Sequence, residues 1–593
     1  MDARIELDTR LQARRARVAQ LDRSDAAVAR ARLVIFLVAA ATAVIAWRGQ
    51  VPWAWLAAPA AAFVALVVTH DRVLRARERA RRAVAFHEGA LSRLDGTFAG
   101  KGVQGERFAE PGHPYAADLD LFGSGALFEL LCTARTRPGE ELLARWLLTP
   151  AAAAEVRARQ RAVAELLPRL DLREDLAVVG EDVRAAVDPA SLAAWGAARP
   201  SLPAWAAPAG AVLAVAGAGA LGYWLTGHSW LPLLVMALIA WGFRRLVAPS
   251  LQGVLGGLDR PAAELRVLAL LLARLEAEPL RDERLVALQA RLRGPEGLAS
   301  QRIARLERLA TRLEWERNQL FAPIGFLLHW SVLLGAAVER WRRSSGPAIG
   351  EWLAASAELE ALASVAGYAH EHPGHVVPEV LDPAPGALPV LEGEAVRHPL
   401  LAEAVANDLR LGGTGPRALL VSGSNMSGKS TYLRTVGVNV VLALVGAPVR
   451  AARLRLTPLH PGATLRIQDS LQAGRSRFYA EISRLKELVD LTAGPLPLLF
   501  LLDEILHGTN SHDRRIGAAA LVRTLLARGA IGLVTTHDLA LTELAGGAGA
   551  ALDNAHFEDQ VRDGAIAFDY RLRPGVVAHS NALALMRAVG LEV

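Results

Sequence analysis

The chain has only one cysteine and four methionines among 593 residues, and only three lysines, at 101, 429 and 486. A single thiol cannot close an intramolecular disulfide, so a stapled secreted fold is excluded and a reducing compartment is the default. Taken alone, Cys132 is a small buried apolar residue. The remaining positive charge is arginine, so a lysine at 429 marks a place that needs a compact ammonium rather than a planar guanidinium. Charge itself is sparse. Charged residues make up 21% of the chain against 52% hydrophobic, with a mean hydropathy of +0.24. That is too little charge to clothe a water-exposed surface of this size, so part of the chain is expected in lipid. A net charge of +6 and a pI near 9.8 permit contact with nucleic acid or anionic headgroups and single out neither. The first 32 residues are helix-favouring and of mixed charge, too long and too acidic for a signal peptide.

Four apolar runs stand out, at 33–47, 51–69, 204–225 and 229–243, paired by short turns into two hairpins. A span takes about 20 apolar residues, so the second and third runs suffice and the first and fourth must borrow flanking residues. Arginines crowd the outer flanks (Arg30, Arg32, Arg72, Arg75, Arg244, Arg245 among them), and the inner turns carry only Arg48. By the positive-inside rule both hairpins enter and leave from the cytoplasm. Trp47, Trp53, Trp55, Trp205, Trp224, Trp230 and Trp241 lie near run ends as interfacial anchors do, and Ala214, Ala218 and Gly222 form a small-residue face. The expectation is a multi-pass protein of the inner (cytoplasmic) membrane, held by four transmembrane helices, with its soluble domains in the cytoplasm.

The runs divide the chain into an N-terminal helix (1–32), a first transmembrane hairpin (33–70), a helical region (71–200), a second hairpin (201–245), more amphipathic helix (246–370) and a C-terminal domain (371–593). Residues 371–399, rich in proline and glycine, read as a linker. From 415 onward short Val/Leu/Ile runs alternate with glycine punctuation and helical stretches, an α/β pattern.

Residues 421–431 read VSGSNMSGKST. Gly423 to Ser430 fits G-x-x-x-x-G-K-[ST], preceded by a strand-like ALLVS and followed by a helix-like TYLRTVGVNVVLALVG. The loop amides and helix N-terminus would receive phosphates, Lys429 would reach the β- and γ-phosphates, and Ser430 would ligate Mg²⁺. LPLLFLLDE at 496–504 is an apolar strand ending in two carboxylates, with Asp503 beside the metal and Glu504 placed to orient or deprotonate a water. A third strand, AIGLVTT, runs into His537 and Asp538, with the histidine facing the γ-phosphate from the far side. These residues describe a nucleotide hydrolase of the P-loop class, whose chemistry is mainly positioning and charge stabilisation.

The likeness goes further, and the chain resembles the MutS family of DNA mismatch-repair ATPases. EAVRHPLL at 394–401, SGSNMSGKSTYLR with its Asn425 and Met426, RIQDSLQAGRSRFYAEI at 466–482, DEILHGTNSHD at 503–513, TTHDLALTEL and the closing segment 554–591 carry the resemblance in order. Upstream, LDLFGSGALFELLCTARTRPGEELLARWLLTP and RARQRAVAEL resemble the start of the family's helical core. The resemblance implies an ABC-type P-loop ATPase domain beside an all-α core and lever region. It also implies a homodimer in which Ser476 contacts the partner's ATP, with Gly423, Gly428 and Thr431 in the phosphate loop and Tyr570 against the adenine. Mg²⁺ and ATP are the implied cofactors, and duplex DNA is a candidate partner.

Nothing before residue 118 resembles a mismatch-reading or connector domain, so mismatch recognition is not implied. A dimeric clamp or switch near the membrane is the leading reading. A nucleotide-gated protein scaffold without DNA binding is the alternative. A transporter is disfavoured by GRSRF in place of Leu-Ser-Gly-Gly-Gln and by hairpins with few polar residues.

Overall fold

The computed structural model describes residues 3–577 except 187–188, 257–261, 295–296, 318, 320, 425, 466–476, 507–509, 538, 544–550 and 563–564. Asn425, Ser476 and Asp538 therefore lie outside the described residues. No glycine or proline interrupts residues 3–47, and they form one helix, α1 (Ala3–Trp47), in place of the separate elements expected at 1–32 and 33–47. The chain returns through a 3₁₀ turn (Trp53–Leu56) into α2 (Ala57–Leu94). At 1.5 Å per residue α1 is about 67 Å long, more than twice the ~30 Å of a hydrocarbon layer. The hairpin accordingly has an apolar tip and a charged stalk. The tip is bare, with Trp47 82% and Trp55 67% exposed. Where the stalk begins, His70 lies 2.8 Å from Asp25 through Nε2 and 2.8 Å from Arg32 through Nδ1.

The stalk docks on the helical body through polar contacts to two buried carboxylates, Glu174 and Glu371. Glu174 meets both Arg14 (2.7 Å) and His87 (2.9 Å), and Arg93 reaches Glu371 with a two-pronged hydrogen bond. A small cluster of Leu7, Phe86, Ala90, Leu170 and Ala177 seals the joint. The second hairpin consists of α3 (Ala206–Leu225) and α4 (Leu231–Leu255). The run 229–243 thus continues well past its apolar part. All four helices are long and apolar enough to cross a membrane. All seven tryptophans expected at their ends are at least 45% exposed, a surface that water does not favour.

α5 (Trp330–Ser345) and α6 (Ile349–Glu371) follow. α6 is the axis of the helical body and is buried along nearly its whole length, which its alternation of alanine with leucine and valine permits. Among its buried groups is Glu360, whose Oε2 accepts from the Thr136 amide (3.3 Å) and hydroxyl, while Oε1 has no partner among the described residues. Burial pushes this carboxyl up to about 7. A folded-state value above the ordinary 4.5 means that the stability held at low pH is lost as pH rises towards 7. Glu360→Gln is therefore expected to raise the melting temperature at pH 8, by a gain of at most about 3 kcal/mol, and to do little at pH 4. Thermal unfolding at the two pH values checks it.

The C-terminal part holds two sheets. The smaller contains β1 (Glu379–Val380), β2 (Val390–Val396), β3 (Asn407–Gly412) and β5 (Arg453–Leu456) in the order β1-β5-β2-β3. Two of these strands fall within 371–399, so that stretch is not merely a linker. Its prolines flank strands rather than replace them. The larger sheet runs β10-β9-β4-β8-β7-β6, with β4 (Ala418–Ser422), β6 (His460–Thr464), β7 (Leu498–Asp503), β8 (Ile531–Thr536), β9 (Leu552–Arg562) and β10 (Ala565–Pro574). All neighbours are parallel except β9 and β10.

Both faces of this sheet are covered, which is why β7 is apolar without alternation. Leu499 and Leu501 face α7 (Lys429–Val445), and Leu498, Phe500 and Leu502 join the cluster under α8 (Arg477–Leu491) and α9 (Ser511–Ala527). α7 is wedged between sheet and helical body. A Cβ at Gly437 would come within 2.6 Å of Leu119 and 2.8 Å of Leu501. One apolar core consequently runs from Phe98 to Phe557, joining helical body and sheet.

Candidate functional site

β4 ends at Ser422, and the chain turns through the glycine loop into α7, whose first residue is Lys429. The loop needs its glycines. Gly423 has φ +153 and an added Cβ would meet Ser427 Oγ at 2.8 Å, while Gly428 has φ +101 with the Tyr570 ring 3.1 Å from its would-be Cβ. Met426 also takes a positive φ, 71°, and is 83% exposed at the loop tip. The Lys429 ammonium donates to the carbonyls of Gly423 (2.9 Å) and Ser424 (2.8 Å) and lies 3.4 Å from Glu504.

β8 lies between β4 and β7, so the loop and the two carboxylates open at the same edge of the sheet, one strand apart. Thr535 on β8 donates its hydroxyl to Asp503 Oδ1 and accepts from the Glu504 amide at 3.0 Å. Glu504 holds φ 44, a left-handed conformation that glutamate seldom adopts. His537 Nδ1 stands 3.5 Å from Glu504 Oε1. A cavity of about 680 Å³ gathers Met426, Gly428, Lys429, Ser430 and Thr431 with Asp503, Glu504 and Tyr570. Gly423 lies beneath it at the strand end, and His537 reaches it through Glu504. A larger groove, of about 890 Å³ near Arg410, Arg453 and Arg573, contains none of these loop or strand-end groups. The chemistry therefore belongs to the smaller cavity.

Tyr570 takes a positive φ, 53°, stacks on Phe568 at 5.9 Å and is 44% exposed. Asn407 fixes its strand, donating to the Tyr570 carbonyl (3.0 Å) and accepting from the Leu572 amide (2.7 Å). His398 also lines the cavity, and burial, helped by Arg434 and Arg450, pushes its imidazole down to about 4, leaving it uncharged at neutral pH. Neither of these two, nor Thr535, was singled out as a site residue from sequence. His398 lies inside the quoted EAVRHPLL stretch and Thr535 inside the third strand, and no spacing rule marks either one.

The loop fits a phosphate chain. The ammonium is satisfied by two loop carbonyls that a phosphate oxygen can replace, and the buried Ser427 hydroxyl has no hydrogen-bond partner among the described residues. Ser430 and Asp503 line the same cavity, a hydroxyl and a carboxylate of the kind that Mg²⁺ takes together with phosphate oxygens.

Residues 419–592 match the family described as MutS domain V, a P-loop NTPase domain. Curated relatives include a DNA mismatch repair protein MSH3 from Phaeosphaeria nodorum, 31% identical over 240 residues, covering 39% of this chain and 21% of the relative. A DNA mismatch repair protein MutS from an Exiguobacterium species is 37% identical over 193 residues, 31% of this chain and 22% of the relative. An endonuclease MutS2 from Thermus thermophilus is 34% identical over 195 residues, 33% of this chain and 25% of the relative. The chain thus aligns with a quarter or less of the length of each of these relatives. Over residues 419–592 the chain matches MutS domain V, and in this C-terminal part it is similar to proteins of the MutS family.

Proposed function

We propose that this chain is a membrane-anchored ATPase of MutS type, working as a homodimer whose nucleotide state opens and closes a clamp on duplex DNA at the cytoplasmic face. The observation that carries the reading is the meeting of Lys429, Ser430, Asp503 and Glu504 around one cavity at the edge of a parallel sheet. Bound Mg²⁺ would supply charge neutralisation at the phosphates. Lys429 leaves its loop carbonyls to bind phosphate oxygens, Ser430 and Asp503 would hold the metal, and Glu504 takes a proton from water, with His537 beside it. Ser476 and Asn425 complete the site by the family resemblance, Ser476 from the partner protomer. The hairpins α1–α2 and α3–α4 anchor the chain in the inner membrane, and their bare tryptophans support that placement.

Thr535 is a positioning residue in this reading, because its hydroxyl orients Asp503. Thr535→Val keeps the shape and removes a hydrogen bond to a charged group worth about 1.5–3 kcal/mol. The Mg²⁺ concentration for half-maximal hydrolysis is expected to rise about tenfold or more, and titration of ATPase activity with Mg²⁺ checks it.

The DNA part is tested by binding of a labelled duplex to the purified chain over a salt series. Affinity falling steeply and linearly in log salt supports the clamp through counterion release. No binding at low salt removes DNA and leaves a nucleotide-gated scaffold that acts on protein.

A further inference from the structure

Besides the four long helices, the chain holds another uncharged stretch: residues 319–338 contain no Asp, Glu, Lys or Arg. Its helix is broken. A short helix, Ala322–Leu327, stops before His329, which takes φ 51, and α5 begins at Trp330. This stretch packs against the second hairpin along its length. A Cβ at Gly217 would lie 2.9 Å from both Leu327 Cγ and the Leu327 carbonyl oxygen, Gly210 faces Val332, and a Cβ at Gly335 would meet Leu251 at 2.4 Å. Gly217 lies about 17 Å along α3 from Ala206, roughly half of a ~30 Å hydrocarbon layer. The backbone contact at Gly217 therefore puts the short helix at the same depth as the middle of α3.

We propose that residues 321–332 dip into the bilayer beside the second hairpin as a re-entrant segment, with the face at Pro323 and Ile324 against lipid acyl chains. The inference rests on the reading of α3 and α4 as membrane spans. Irregular backbone survives at such depth only when protein covers it and its polar groups are paired. Here the backbone amides at the break are taken up by Ile324 (2.9 Å, from Leu328) and Phe326 (3.3 Å, from His329), and the His329 ring is fully buried with Phe243 edge-on at 5.0 Å, its two nitrogens without a hydrogen-bond partner among the described residues. On its outer side Ile324 is 44% exposed. The segment's entry carries the marks of a membrane boundary: Arg244 pairs with Glu316 at 2.7 Å and lies over the Phe326 ring, and Trp315 stacks on Trp330 at 6.2 Å.

The test uses the full chain in phosphatidylcholine–phosphatidylglycerol vesicles, with a nitroxide attached to Ile324→Cys, to Val215→Cys on the exposed face of α3, or to Val377→Cys as a water reference. All three positions are exposed, so folding is not at stake, and the native Cys132 is buried with its thiol pushed up to about 12. The expected result is that the label at 324, like that at 215, favours oxygen over a water-soluble nickel chelate several-fold more than the label at 377. If 324 behaves like 377 while 215 remains in lipid, the re-entrant segment is refuted and the spans stand. If 215 also behaves like 377, both fall.

Discussion

Glu504→Gln is expected to keep nucleotide binding and to lower ATP turnover by about 10²–10⁴-fold, the share that a positioned general base contributes. The carboxylate lies 3.4 Å from Lys429 and 3.5 Å from His537, in a backbone conformation with φ 44. Its amide is fixed by Thr535, so an amide side chain of equal size would occupy the same place without accepting the proton. Removing the charge also frees Lys429 from an ion pair that competes with phosphate, so affinity is expected to stay level or increase. Binding of a fluorescent ATP analogue together with single-turnover hydrolysis separates the two effects. Full turnover in this variant would refute the base assignment.

Lys429→Ala is expected to act on binding itself. The side chain is 5% exposed and its ammonium is held at 2.8–2.9 Å by two loop carbonyls, already aimed along the loop. Two charges about 4 Å apart at an effective dielectric of ~20 attract by at most ~4 kcal/mol, so a loss on the order of 100-fold in ATP affinity is a reasonable fraction of that. Lys429→Arg is not expected to restore it, because a planar fork does not fit a cradle closed by Gly423 and Gly428. Equilibrium binding with and without Mg²⁺ measures both variants. Unchanged affinity in the alanine variant would place the nucleotide elsewhere.

Much of this site could be read along the chain because it is made of local patterns. The glycine loop, the strand ending in Asp503 and Glu504, and the strand running into His537 each follow from a few adjacent residues. The linker at 371–399 misled because proline and glycine punctuation hides the short strands Glu379–Val380 and Val390–Val396, whose pairing partners lie far along the chain. The uncharged stretch at 319–338 escaped for a related reason, since proline, glycine and histidine within it break the helical signature. Asn407 and Thr535 had no signal, because each acts through a residue distant in sequence.

By itself, then, the amino-acid order determined that a phosphate loop exists, that it precedes a helix, that two acids end an apolar strand, and that four runs suit lipid better than water. Periodicity and residue type are enough for these, since each concerns neighbours on one element. Tertiary structure alone decided that β8 inserts between the loop strand and the acid strand, which sets Thr535 against Asp503 and spaces Lys429 from Glu504. It likewise decided that α7 is wedged against the helical body at Gly437 and that a broken apolar stretch rests on Gly217. Such contacts depend on the order of strands in a sheet and on the close approach of backbones, and neither leaves a repeat for the sequence to display.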